Sequence, residues 1–145
     1  MMKKIFLPTL LLIFLFTTSS WAHDGGGGVT VDVLAKTTTS WNGAALPAYN
    51  QGIPEVTILR IVIPAKTELP LHQHPVINAG VLLKGELTVV TQDKKTLHLK
   101  AGDPIVEVVD TWHYGRNDGD GPAEIIVFYA GVKDAPITVK APVSP

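Results

Sequence analysis

Proline and glycine interrupt this chain about every ten residues, which prevents any long regular segment. Between them lie short runs of β-branched and apolar residues, of which Val56–Ile63 (VTILRIVI) is the clearest. No segment shows the sustained apolar period of about 3.6 residues that marks an amphipathic helix. Many short strands at this spacing are typical of sandwiches and barrels. The sequence therefore predicts an all-β, antiparallel, single-domain fold.

The apolar runs predict six main strands. They are Val56–Ile63, Asn78–Leu83, Leu87–Gln92, Thr96–Leu99, Ile105–Val109 and Glu124–Tyr129. Gly85 predicts a hairpin between the second and third of these strands, and Asp93–Lys95 predicts a tight turn after the third. Val29–Thr39 has the composition of an edge strand, whereas Ala130–Pro145, with three prolines, is expected to be a coil-like tail.

Residues 1–22 have the organisation of a cleavable export signal. Lys3 and Lys4 give a positive start, Ile5–Phe16 is mostly apolar, and Ser20-Trp21-Ala22 fits the small-residue cleavage rule. A retained membrane anchor is disfavoured because a spanning helix needs about 20 apolar residues. We therefore expect cleavage after Ala22 and export to the periplasm or the medium, with no stable membrane anchor afterwards.

The 145 residues suffice for one compact domain. We expect a glycine-rich leader over residues 23–40, the barrel over 41–139 and a tail over 140–145. Without Lys3 and Lys4 the chain has ten basic and thirteen acidic residues, which disfavours a nucleic-acid partner. The chain has no cysteine, so any metal site must be built from nitrogen and oxygen ligands.

A histidine pattern in Pro70–Gly85 (PLHQHPVINAGVLLKG) predicts a metal site. On an extended segment His72 and His74 point the same way, and Asn78 shares their parity. A third histidine, His113, lies on a later β-like run. Three imidazoles from neighbouring strands can converge on one ion at about 2.0–2.1 Å per bond.

These residues resemble the two signature motifs of the cupin family, G-x5-H-x-H-x3,4-E-x6-G and G-x5-P-x-G-x2-H-x3-N. The matching positions, all at the family's spacing, are His72, His74, Gly85, Gly102, His113 and Asn117. The departures are Lys66 for the first glycine, Asn78 for the glutamate, Val108 for the proline and Asp110 for the second motif's inner glycine. The resemblance spans about Trp41 to Val139. It implies a cupin-type jelly-roll barrel, metal ligation by the three histidines, and dimerisation through edge strands.

Asn78 leaves two interpretations open. Its amide oxygen could bind the metal directly, as a weaker ligand than the family's glutamate, or hydrogen-bond to orient a ligating histidine. A third alternative is that the substitution marks a metal-free ligand pocket. A three-histidine site suits divalent Fe, Mn, Ni, Cu or Zn, and the sequence does not choose among these metals.

The sequence is compatible with three classes of function. A metal-dependent enzyme would act on a small polar molecule, as a dioxygenase with a redox metal or as an isomerase, lyase or hydrolase with Zn or Mn. A binding protein would hold a sugar or carboxylate, and a structural metal would only stabilise the fold. We favour the enzyme, although no catalytic residue can be assigned.

Six further residues are candidates for roles near the metal. Those that could carry a proton are Glu86, Glu107, Tyr114 and Tyr129. Arg60 could point into the barrel as a counter-charge or extend its head into solvent, and Trp112 could form an apolar pocket wall or belong to the core. His98, outside both motifs, is expected to lie on an exposed strand face.

Overall fold

The computed structural model describes residues 28–142, whose regular elements are all β-strands. The ten strands are β1 (Pro54–Ile63), β2 (Thr67–Glu68), β3 (His72–Gln73), β4 (Ile77–Lys84), β5 (Glu86–Thr91), β6 (Thr96–Lys100), β7 (Pro104–Val106), β8 (His113–Asn117), β9 (Ala123–Val132) and β10 (Val139–Lys140). A compact unit begins at Asp32. Within residues 28–142 there is no helix that could cross a membrane. The predicted export signal, residues 1–22, lies outside the described residues.

The strands form two antiparallel sheets. The four-stranded sheet has the order β1-β9-β4-β7, and the six-stranded sheet has the order β10-β3-β8-β5-β6, with β2 added to β8. Two such sheets bury their apolar faces against each other. This arrangement confirms the predicted all-β jelly-roll barrel.

The core lies between the sheets because side chains alternate along each strand. In β9, Ile125 and Val127 are buried, whereas the intervening Ile126 and the following Phe128 are exposed. The register places Ile61 opposite Ile125 and Leu59 opposite Val127, so β1 presents apolar side chains on the same inner face. Each such side chain, when fully buried, contributes about 1.5–3 kcal/mol to folding. This inner face also forms one wall of the site described below.

The predicted hairpin at Gly85 is wrong. β4 pairs with β7 and β9, whereas β5 pairs with β6 and β8, so Gly85 connects one sheet to the other. Gly85 has φ +76°, and a Cβ atom there would lie 2.8 Å from the carbonyl oxygen of Pro122. The glycine is thus needed, but a tight turn looks the same in sequence whether or not its strands pair. The turn at Asp93–Lys95 does join the paired strands β5 and β6, as predicted.

The two ends of the described range differ from expectation. Residues 29–38 form no strand, and near the end of the predicted Val29–Thr39 strand there is an isolated bridge between Thr39 and Ala45, with the N–H of Leu46 donating to the carbonyl oxygen of Thr38 at 2.9 Å. At the other end β9 continues to Val132, and β10 pairs with β3. The expected coil-like tail therefore contains a strand that lies beside His72.

Two departures from the cupin motifs occupy turns with positive φ. Lys66 has φ 54° and Asp110 has φ 51°, and both stand where the motifs have glycine. The left-handed backbone conformation is therefore kept although the glycines are absent, at a cost of roughly 1–2 kcal/mol per residue. The N–H of Asp110 donates to the carbonyl oxygen of His74 at 2.9 Å, so this turn is tied to the histidine segment.

Candidate metal centre

Three histidine rings converge between the two sheets. His72 lies in β3, His113 opens β8 directly opposite it, and His74 follows the end of β3, where the chain leaves for β4. The ring centroids are 4.5 Å (His72–His113), 5.0 Å (His72–His74) and 5.1 Å (His74–His113) apart. One ligand atom from each ring lies within 4.8 Å of the other two. The predicted three-histidine cluster is thus close enough to bind a metal ion.

Backbone carbonyls fix the orientation of all three rings. The Nδ1 atoms of His72, His74 and His113 hydrogen-bond to the carbonyl oxygens of Pro70 (2.7 Å), Ile137 (2.8 Å) and Thr111 (2.8 Å). A carbonyl oxygen only accepts, so each Nδ1 carries the proton and each Nε2 keeps a free lone pair. Metal-ligating histidines are typically held in this way. The residues therefore fit a metal bound through three Nε2 atoms.

Two buried polar atoms in the cluster have no hydrogen-bond partner among the described residues. They are Nε2 of His113 and Oδ1 of Asn78. Asn78 is fully buried and donates from Nδ2 to the carbonyl oxygen of Val76 at 3.2 Å, which leaves its amide oxygen free. Unsatisfied buried polar atoms are costly. A cation or a ligand in this cavity would satisfy both of them.

Asn78 reaches the cavity of the histidines by a route that strand parity alone does not describe. His72 and Asn78 line the same cavity, yet they belong to opposite sheets, because the chain crosses between them around Pro75. The two side chains meet because the inner faces of both sheets look toward the same interior.

The site favours neutral imidazoles. Burial lowers the pKa of His74 to about 4, and it also lowers the pKa values of His72 and His113. Desolvation penalises the charged form. At neutral pH the rings are therefore unprotonated, which is the state required of a metal ligand.

Glu107 and Tyr129 also line the cavity. A Glu107 carboxylate oxygen (Oε2) lies 3.7 Å from Nε2 of His113, and burial raises the pKa of Glu107 to about 7. The Tyr129 ring centroid lies 5.4 Å from that of His74, and burial raises the pKa of Tyr129 to about 12. Of the four proton-carrying candidates, the structure brings these two to the cluster. Tyr114 and Glu86 do not line this cavity.

The cavity itself is mainly apolar. Its volume is about 220 Å³, and its apolar walls include Leu59, Ile61, Leu87, Val89, Ile105 and Val127. The polar groups besides the histidines, Asn78, Glu107 and Tyr129 are Thr138 and Lys140. A cavity of about 150 Å³ can hold benzene. This cavity therefore suits a small molecule with an apolar body.

Neither Arg60 nor Trp112, the predicted pocket residues, lines this cavity. Arg60 faces outward, because its neighbours in β1, Leu59 and Ile61, face inward; its guanidinium pairs with Glu124 at 2.7 Å and its side chain is 68% exposed. Trp112 is half-buried just before β8, one residue out of phase with His113. His98 is exposed in β6, as expected.

Residues 137–140 contribute to the site, although their sequence predicts a tail. Ile137 supplies the carbonyl that orients His74, Thr138 lies 3.2 Å from the same Nδ1 atom, and Lys140 lines the cavity. Their proline-rich surroundings indicated a tail. The short run Ile137–Lys140 (ITVK) has β-favouring residues and was the available signal.

The comparisons with known proteins agree with this geometry. Residues 59–129 match the family model described as a cupin domain. This match runs from β1 into β9 and includes all three histidines. No curated protein shows significant sequence similarity to the chain.

Several solved structures share the fold. The DMSP lyase DddQ from Ruegeria pomeroyi is 23% identical with a TM-score of 0.52, over 59% of this chain and 43% of the lyase. A cupin-like protein from Thermotoga maritima is 13% identical with a TM-score of 0.51, over 59% of this chain and 64% of the other. The polyketide cyclase RemF from Streptomyces resistomycificus is 14% identical with a TM-score of 0.52, over 61% and 62%. The match thus spans less than two thirds of each of these chains, and identities this low establish the fold alone.

Proposed function

We propose that this protein binds a divalent transition metal through Nε2 of His72, His74 and His113 and acts on a small molecule at that metal. The observation that carries the proposal is the set of three Nδ1–carbonyl hydrogen bonds, which leaves three lone pairs free toward one cavity. A site that served only to fill the core would not need all three rings held in the same tautomer.

The cavity narrows the class of ligand. Its walls are predominantly aliphatic, which argues against a sugar and favours a compact molecule with an apolar body and one polar group. The polar group would face the histidines. Lys140, at the same cavity, would favour a ligand with an anionic group.

An enzyme is favoured over a passive binding protein by Glu107 and Tyr129. A binding protein needs only a lined pocket, whereas an enzyme needs an open metal position beside groups that bind or move protons. Both side chains are buried in the cavity that contains the histidines. When bound, the metal would supply Lewis-acid or redox chemistry, according to its identity. A lyase and a cyclase share the fold, but a dioxygenase is equally compatible with these residues.

The decisive experiment is elemental analysis of protein purified without chelator or histidine tag. We expect near-stoichiometric metal in the wild type and none in the His72→Ala/His74→Ala variant. A redox metal would direct further work to oxygen-uptake assays, and zinc or manganese to non-redox reactions. Wild-type protein that stays metal-free after reconstitution would contradict the metalloenzyme and favour the alternative, a cupin that binds its ligand without a metal.

The proposal includes export and a homodimer. Export rests on the signal-like sequence of residues 1–22 and is tested by N-terminal sequencing of protein from the periplasm and the medium. A second copy of the chain would cover the outer face of the four-stranded sheet, where Val56, Ile58 and Phe128 are exposed. Light scattering tests this dimer, and Ile58→Glu should dissociate it.

A further inference from the structure

The cavity contains a carboxylate, but not where the cupin motif has one. The motif's glutamate position is occupied by Asn78. Among the residues described as lining the cavity, Glu107 supplies the one carboxylate. It occupies a variable position of the second motif, directly after β7.

Glu107 lies directly across from Asn78 on the neighbouring strand. The register of β4 and β7 pairs Ala79 with Val106, and the next pair in that register is Asn78 with Glu107. The backbone N–H of Glu107 donates to the carbonyl oxygen of Asn78 at 3.0 Å. Residues opposite each other in an antiparallel pair project from the same face of the sheet. A carboxylate at 107 therefore reaches the region that a carboxylate at 78 would reach.

The carboxylate lies close to one of the three histidines. Oε2 of Glu107 lies 3.7 Å from Nε2 of His113, an atom with no hydrogen-bond partner among the described residues. Glu107 is outside the group of side chains whose ligand atoms all lie within 4.8 Å of one another, so its side chain must rotate toward His72 and His74 to share their ion. Two ligands bound at about 2.0–2.2 Å lie roughly 3.4 Å apart in a tetrahedral site. A change of a few tenths of an ångström would bring this pair to that separation.

Few groups compensate a negative charge on Glu107. The residue is 9% exposed, and Oε2 accepts a hydrogen bond from the N–H of Val108 at 3.1 Å. Burial raises the pKa of Glu107, and the donors Val108 and Trp41 oppose that rise without cancelling it. The neighbouring His113 is neutral, and its Nδ1 proton is donated to Thr111. A buried carboxylate needs a cation or several donors. A metal held by the histidines would be that cation.

We propose that Glu107 is the carboxylate ligand of this metal centre, so that the ligand has moved from β4 to the residue after the adjacent strand β7. With Glu107 bound to the metal, Tyr129 remains as the proton-carrying group of the cavity. This inference rests on the proposed function, since it requires a metal at the three histidines. It also explains why position 78 has an uncharged amide, because a second carboxylate opposite Glu107 would place two like charges on one buried patch.

Metal affinity tests the inference without any assay of activity. Co(II) and Zn(II) are titrated into metal-free protein in competition with a chelator of known affinity. Glu107→Gln keeps the shape and the acceptor for Val108 but removes the charge, and we expect binding at least about 10-fold weaker. The matched control is Glu124→Gln, which removes an outward-facing carboxylate and should bind as the wild type does. Equal affinity in Glu107→Gln and the wild type would overturn the inference.

A carboxylate swap tests the positional claim. In Asn78→Glu/Glu107→Gln the charge returns to the motif position, and affinity should recover to within about threefold of the wild type. Circular dichroism checks that both variants are folded. If the folded double variant binds the metal no more tightly than Glu107→Gln does, the proposed exchange of the ligand between strands is wrong.

A crystal structure of the Co(II)-loaded wild type gives a result even where a variant fails to fold. A Glu107 oxygen at about 2.0–2.2 Å from the ion supports ligation. A Glu107 oxygen beyond 3 Å overturns it while leaving the three-histidine site intact. Wild type that binds neither metal would instead overturn the proposed function itself, so the two failures are distinguishable.

Discussion

The two sheets contribute chemically different halves to the cavity. The six-stranded sheet supplies nitrogen ligands from His72 and His113, and His74, in the segment after β3, supplies a third. The four-stranded sheet and the residue after β7 supply oxygen, from Asn78, Tyr129 and Glu107. The nitrogen half is fixed by three carbonyl hydrogen bonds, whereas in the oxygen half the Asn78 amide oxygen has no partner within residues 28–142.

This contrast separates two tasks. A rigid, neutral nitrogen half sets the position of an ion before it arrives, which reduces the cost of organising the site. An oxygen half with unsatisfied groups gains its partners only on binding. Variants of the first half should therefore abolish metal binding, and variants of the second should tune it.

The largest effect is expected from the nitrogen half. His74→Ala removes both a ligand and the ring anchored by Ile137, so metal affinity should fall by more than the roughly 10–100-fold caused by loss of a supporting hydrogen bond. Isothermal titration calorimetry with Zn(II) measures the change. His98→Ala is the control, because His98 is exposed on β6 and should leave affinity unchanged. Comparable losses in both variants would mean that the effect is not local to the cluster.

Asn78, in the oxygen half, should show a smaller change of opposite sign. Asn78→Asp keeps the size of the side chain and adds a negative charge beside the ion, so we expect metal binding about tenfold tighter, equivalent to about 1.4 kcal/mol. The metal-free variant should have a lower Tm, because the new carboxylate replaces the amide that donates to Val76. Asn42→Asp, in a turn, controls for net charge. Weaker metal binding in Asn78→Asp would place the side chain away from the ion.

The two halves should also respond differently to pH in the metal-free protein. The folded histidines have pKa values below the unfolded value of about 6.5, so their contribution is complete above that pH and is lost as pH falls toward 4. Glu107, with a pKa of about 7, acts in the opposite direction between about 4.5 and 7.

Three histidines outnumber one carboxylate, so the metal-free Tm should fall between pH 6.5 and 4.5. Glu107→Gln should steepen this fall, because it removes the opposing contribution. Differential scanning calorimetry across that range provides the test. A Tm that rises on acidification would show that the oxygen half dominates.

The smallest effect concerns the turn that ties the halves together. Asp110→Gly relieves a positive φ at the motif's glycine position, and the free energy of unfolding should increase by up to about 1 kcal/mol. The N–H that donates to His74 is retained, so metal affinity should not change. Chemical denaturation measures the first quantity, and Asp134→Gly, at another positive-φ position, is the comparison.

The strand positions and the nitrogen half were predictable because both depend on local spacing. Proline, glycine and β-branched runs located Val56–Ile63 and the strands that follow, and the fixed offsets of His72, His74 and His113 identified the cluster. The pairing of the strands around Gly85 was not predictable, because the same kind of tight turn can connect two paired strands of a hairpin or two strands of different sheets.

The oxygen half depends on contacts between distant residues. The parity of Glu107 with His113 was visible, but the turn at Asp110 interrupts the alternation between them. Only the register of β4 with β7 shows that Glu107 is opposite Asn78. The orientation of Arg60 stayed open in the sequence because a charged residue within an apolar strand gives no indication of which face is buried, and the structure places it outside the cavity.

The hydrogen bond from His74 to the carbonyl of Ile137 joins residues 63 positions apart. His72 and His113 are anchored by carbonyls two residues away, so their rings can be oriented by local folding. His74 becomes oriented only when β10 has docked beside β3. Metal capture is therefore coupled to the completion of the barrel: a folding intermediate that lacks β10 would hold two prepared ligands and release its ion more readily than the finished protein.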